Sequence, residues 1–130
     1  MATRRVRTQR GAAIVDFVLV LVVLVPLVLG ILQVALVLYV RNTIASAAAE
    51  GARLAATADR GPEDGAALTR SEISGVLSGR YATGVTASRT TVDGQPGDVV
   101  TVRVRVPALG IGGPAIELVV TRHAVEEPPP

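Results

Sequence analysis

The chain has no cysteine, no lysine and no tryptophan, and its one histidine is His123. Without thiols it can form no disulfide, no thiolate nucleophile and no acylated lipoprotein anchor, and one histidine cannot complete a Cys/His zinc site. His123 falls on or beside an alternating stretch and reads as a surface residue. Lacking lysine, the chain has no phosphate-loop lysine; "GIGGP" at 110–114 leads into proline and a strand, so it reads as a turn. Ser71, Ser74 and Ser78 are not set in the glycine pattern of a nucleophile elbow. No catalytic residue, metal or cofactor is implied, and the chain reads as a non-enzyme. Aromatic residues make up 2% of the sequence, which leaves Arg103 and Arg105 without stacking partners, so nucleic acid is not an expected ligand.

What the chain does have is a long apolar run. From Phe17 to Val40 no residue is charged and most are Leu or Val, with Pro26, Gly30, Gln33 and Tyr39 as interruptions. As a helix rising ~1.5 Å per residue the run is about 36 Å long, enough to cross a hydrocarbon core of about 30 Å with some tilt. Arg4, Arg5, Arg7 and Arg10 precede it with no acid among them, whereas the far side offers Arg41 and then mixed charge with Glu50. The positive-inside rule therefore keeps the N-terminus in the cytoplasm and exports residues 41–130 of a single-pass membrane protein. All 13 basic residues are arginine, which suggests a G+C-rich, bacterial genome and hence the bacterial cytoplasmic membrane. A secretory signal shares the basic start, but its apolar region is usually about 7–15 residues. The A-x-A site Ala45-Ser46-Ala47 keeps open a second reading, release of a soluble binding domain near Ala47. A third is an uncut membrane anchor.

The segment just before the run carries the most specific pattern. Arg10-Gly11 followed by Ala12-Ala13-Ile14-Val15-Asp16-Phe17 resembles the processing site of type IV pilin-like precursors, in which a basic leader is cut after glycine. The fifth residue after the cut is normally glutamate in that family; here it is Asp16, followed by Phe17. Further along, Pro26, Gly30, Tyr39, Arg41-Asn42 and above all "AAEGARLAA" (48–56), with Glu50, Gly51, Ala52 and Arg53, resemble the TadE-like minor pilins of the tight-adherence, or Flp-type, pilus system. Gln33 stands where that family often has an acid, and Ala35 where it often has glycine. The resemblance implies a leader of residues 1–11 removed by a prepilin peptidase, with Gly11 and Ala12 flanking the cut. It also implies assembly with other pilin or pseudopilin subunits through the tight-adherence machinery, at the membrane and in a cell-surface pilus. In that setting Asp16 would meet the new α-amino group of a neighbouring subunit, since opposite charges near lipid are cheaper paired than apart. The plain alternative is a carboxylate at the headgroup boundary, or an N-cap. Loss of the leader would leave nine arginines against 11 acids, a side-chain net charge of −2 in place of +2, so the basic pI belongs to the precursor.

Beyond the membrane segment (12–40), a helical extension is expected over 41–57. Ala45, Ala48, Ala49, Ala52, Ala55 and Ala56 share one face at helical spacing, suited to close subunit packing, and Glu50 with Arg53 supplies an i,i+3 pair. Pro26 and Gly30 can bend or loosen the helix and join Ala48 and Ala52 as candidate packing positions. Gly61-Pro62 marks a break, and 63–80 read as a second helix with Leu68, Ile73, Val76 and Leu77 on one side. Val85–Val92, joined through "DGQPGD" (93–98) to the Val100–Val106 alternation, and then Ile116–Thr121, predict a small antiparallel sheet of about three strands. The expected fold is an α+β membrane protein with a small extracytoplasmic head (58–125) and a Pro-rich, disordered tail (126–130).

Overall fold

The computed structural model describes residues 6–109 and 113–126; from 6 to 10 it describes the backbone alone. The leader residues Met1–Arg5, most of the tail and residues 110–112 of "GIGGP" lie outside the described residues. One helix dominates. α1 runs without interruption from Val6 to Ala55, 50 residues, with Pro26 inside it. At ~1.5 Å per residue it is about 75 Å long. Its two halves have different surroundings. From Gly11 to Val28 every residue is exposed, and this is the one helix among the described residues long and apolar enough to cross a membrane.

Above residue 33 the pattern changes. Val40, Ile44, Ala47, Ala48, Ala52 and Ala55 are buried, a stripe at spacings of three and four that turns one face to the head, with Leu36 and Val37 packed partly against it. The upper end of the apolar run thus belongs to the head's own core. Most of the alanines that suggested subunit packing are covered by this chain, with Ala45 and Ala49 half-buried: α1 packs against the second helix, α2 (Pro62–Val76), and against the sheet.

α2 begins where the Gly-Pro break places it. Pro62 takes the first helical position, the Gly61 amide donates to Asp64 Oδ2 at 3.2 Å, and Glu63 and Asp64 lie at the positive end of the helix dipole. It does not reach residue 80. The helix stops at Val76, Leu77 is extended, and its amide closes the last turn on Ile73 O at 2.7 Å. Gly75, Ser78 and Gly79 are poor helix formers, and the turn brings Leu77 against the core. A 3-10 turn, Gly79–Ala82, then buries Tyr81 and Ala82. The buried face of α2 agrees with the expected one at Ile73, with Leu77 packed beside it, but is otherwise made of the small residues Gly65, Ala66 and Thr69, while Leu68 is half-buried and Val76 is 61% exposed.

The sheet has three antiparallel strands in the order β1 (Val85–Val92), β2 (Gln95–Val106), β3 (Ile116–Val125). Val100, Val102, Val104 and Val106 are buried and face the helices, with Arg103 and Arg105 on the outer side, as the alternation requires. The loop expected over 93–98 is a two-residue turn. Asp93 (φ 51°) and Gly94 (φ 83°) both adopt positive φ, the geometry that matches the twist of a tight hairpin. Gln95, Pro96, Gly97 and Asp98 are already in β2, paired with Val92, Thr91, Thr90 and Arg89. Pro96 contributes its carbonyl, which accepts from the Glu126 amide at 2.9 Å. β3 likewise continues past Thr121 to Val125, opposite Gly97, and carries exposed His123 opposite Val99.

Candidate functional site

The proposed processing and assembly residues stand together on the bare part of α1. Gly11, Ala12, Asp16 and Phe17 are all helical and exposed, and no heavy atom would meet a Cβ built at Gly11. Ala12 and Asp16 are four residues apart, so they share one face about 6 Å apart along the axis. Since α1 starts at Val6, Asp16 lies nearly three turns inside the helix of the intact chain and does not cap it. Higher up the same helix, Pro26, Gly30 and Ala35 leave a shallow apolar groove walled by Leu27, Ile31, Val34 and Leu38. Gly30 has nothing within 4 Å of a Cβ position, so nothing within the subunit requires glycine there.

The segment Glu50-Gly51-Ala52-Arg53 has a defined structural job: it is where α1 and α2 cross. A Cβ on Gly51 would overlap Thr69 Oγ1 and lie 2.6 Å from Gly65 O. On the facing helix, a Cβ on Gly65 would overlap Gly51 O and lie 2.8 Å from the Ala55 Cβ. Two glycines therefore let the helices touch backbone to backbone, with Ala48, Ala52 and Ala66 filling the flanks. Thr69, fully buried, donates its hydroxyl to Gly65 O at 2.8 Å and stands 3.3 Å from Ala47 O, tying the crossing together.

Glu50 and Arg53 lie at the edge of this crossing and are exposed. The expected Glu50–Arg53 pair is absent among the described residues, where the ion pair formed is Arg60–Asp64 at 3.8 Å. Glu50 faces Glu72 of α2 instead. Partial burial, a hydrogen bond from one carboxyl to the other and their mutual repulsion together raise the pKa of Glu72 above its ordinary value.

One feature of the helix escaped the sequence reading. Gln33, the lone amide of the apolar run, reaches the β2–β3 loop: its Nε2 donates to Pro107 O at 3.3 Å, and its Oε1 accepts from the Leu109 amide at 2.6 Å. Its position in the middle of a greasy segment was the available signal, because an amide there needs partners.

Comparison with protein families places the N-terminal third of the chain. The family model described as TadE-like protein matches residues 11–53, from the glycine of the proposed cut to the arginine at the helix crossing, in agreement with the resemblance drawn from the residues. No match is found among curated proteins or among solved structures.

Proposed function

We propose that this chain is a minor-pilin-like structural subunit, anchored in the bacterial cytoplasmic membrane by α1, that serves assembly of a tight-adherence (Flp-type) pilus or related secretion apparatus. A prepilin peptidase cuts the precursor after Gly11, and the new amino group at Ala12 is met by Asp16 of an adjacent subunit. The observation that carries this reading is the TadE-like match over 11–53, which coincides with a helix that is bare over its first turns and covered by the head only beyond them. Its partners are membrane lipid, the peptidase, other pilin or pseudopilin subunits and the tight-adherence machinery. N-terminally the cytoplasm holds the basic leader, and the α+β head stands on the opposite side.

Release of a soluble head fits the structure less well. The A-x-A site at Ala45–Ala47 lies inside α1, and a head released there would lose Val40 and Ile44, 1% and 0% exposed, from its core. The N-terminal residue and intact mass of the protein recovered from its native membrane test the proposal. A start at Ala12 is expected; a start at Met1 or Ala2 refutes the cut, and a start near residue 48 or 50 refutes anchoring as well.

A further inference from the structure

We infer that the β2–β3 loop, through residues 107–109 and 113–116, rests in the outer boundary of the lipid bilayer beside α1, with Arg105 and Arg103 above it among anionic headgroups. The inference rests on the membrane-anchor part of the proposed function and is independent of the pilus and of the cut.

Depth along α1 fixes the level of the loop. If the span begins at Ala12, a hydrocarbon core of about 30 Å ends about 20 residues later, at Leu32 or Gln33. If Asp16 marks the inner boundary instead, the same thickness ends near Leu36. Gln33 holds Pro107 and Leu109, so either placement brings the loop to the edge of the hydrocarbon. Tyr39 then stands about 5 Å beyond the hydrocarbon edge in the second placement, within the headgroup layer where tyrosine is favoured, and about 9 Å beyond it, just past that layer, in the first.

The chemistry of the loop suits that level. Residues 106–116 carry no charge, and the side chains of Leu109 and Ile116 are 42% and 40% exposed next to the bare helix. Backbone groups near hydrocarbon need internal partners, and Gln33 supplies a donor and an acceptor to this loop. Directly above, Arg105 and Arg103 precede Val106 on the outer face of β2 and share a shallow pocket with Arg80 and one acid, Glu117. At ~3.3 Å per residue their backbones lie about 7 and 13 Å above Pro107, so Arg105 falls within a headgroup layer of about 5–8 Å and Arg103 just above it, where a long arginine side chain reaches the layer. Three arginines against one carboxylate favour phospholipids with anionic headgroups.

Because the chain has no cysteine, single-cysteine variants report position without background. Leu109→Cys, Leu24→Cys and Thr90→Cys, each carrying an environment-sensitive fluorophore on the full chain in phosphatidylcholine/phosphatidylglycerol vesicles, make the test. Thr90 lies in β1 near the hairpin turn, at the opposite end of the sheet. Labels at 24 and 109 are expected to be blue-shifted and quenched by lipid-borne nitroxides, and the label at 90 neither. Arg103→Gln with Arg105→Gln is expected to reduce quenching at 109 at least twofold in phosphatidylglycerol vesicles and to leave it unchanged in pure phosphatidylcholine. Quenching at 24 with a water-like signal at 109 overturns the inference and leaves the anchor standing. A water-like signal at both overturns both. A blue shift at 109 that grows with protein density and is not quenched by lipid assigns the loop to a second copy and also overturns the inference.

Discussion

Gly51→Ala is a sharp test of the helix crossing, because two opposing effects of known size meet at one atom. Alanine is the better helix former by about 1 kcal/mol, so in an unobstructed helix the change would stabilise. At Gly51 the added methyl has nowhere to go: it overlaps Thr69 Oγ1 and lies 2.6 Å from the Gly65 carbonyl. The carbonyl belongs to helix backbone and cannot rotate away. The helices must therefore separate, which costs about 1–3 kcal/mol as overpacking. Separation also loosens the hydrogen bond that Thr69 donates to Gly65 O, worth about 0.5–1.5 kcal/mol. The losses exceed the gain, and the net expectation is a destabilisation of about 1–3 kcal/mol, several degrees in the unfolding midpoint at roughly 3–6 °C per kcal/mol. Thermal unfolding of the full chain in detergent, followed by the near-ultraviolet signal of buried Tyr81 and by far-ultraviolet circular dichroism, measures it. In a Thr69→Ala background the penalty of Gly51→Ala should shrink but persist, since the Gly65 carbonyl remains. Gly75→Ala is the control, on an exposed face with nothing within 4 Å, and should raise the midpoint. A Gly51→Ala protein as stable as the Gly75→Ala protein would refute the argument.

Other expectations follow from single groups. Asp98 is 1% exposed, its Oδ1 has no hydrogen-bond partner, and burial, then the charge of Glu126, raise its pKa above the usual value against the opposing pull of Arg89. The folded chain thus holds this proton more tightly than the unfolded chain, so the stability tied to Asp98 is complete below the unfolded pKa and is lost as pH rises through the folded one. Asp98→Asn should raise the unfolding midpoint at about pH 7 and give no advantage near pH 3, as read by calorimetry. Gly94→Ala forces a side chain into positive φ and should lower stability by about 1 kcal/mol, seen as a shifted denaturant midpoint. Asp16→Ala should permit cutting after Gly11 but impair incorporation into the pilus, whereas a bulky residue at Gly11 should leave the precursor uncut on an immunoblot.

The elements with strong periodicity were legible in the sequence. The valines of β2 announce their buried face, the long apolar run announces α1, and Gly61-Pro62 announces the start of α2. What could not be read was decided by contacts between segments far apart. "DGQPGD" has the composition of a loop, but only Asp93-Gly94 turns; Pro96 and Gly97 enter the strand because its partners lie on both sides. The larger residues located only part of the α2 face, at Ile73, since the helix crossing selects for small ones: Gly65 and Thr69 are buried and Val76 is not. The alanine stripe was visible as a packing surface, but periodicity alone does not say whether the surface is covered by a neighbour or by the same chain. Around the proposed cut, the pattern at Gly11–Phe17 is a matter of local sequence, and an exposed helix adds nothing that the residues do not already state.

The same helix that is long and apolar enough to cross a membrane builds the head's core, which has a mechanical consequence under the proposed function. Val40 and Ile44, 1% and 0% exposed, pack with the sheet and α2 immediately above the bare segment. Burying such side chains contributes about 1.5–3 kcal/mol each, so losing both removes an amount comparable with the roughly 5–15 kcal/mol of net stability that holds a domain folded. A head severed near Ala47 would lose both, along with the alanine at the cut, and would not be expected to remain folded. Between the bare, apolar turns and this core there is no linker: α1 continues unbroken, and Gln33 fastens the lower loop to it. Any force that draws α1 along its axis, as extraction of a subunit from the bilayer would, is therefore transmitted to the head directly. An anchor joined to its domain by a flexible tether would first take up slack; here the position of the head is set by the position of the helix.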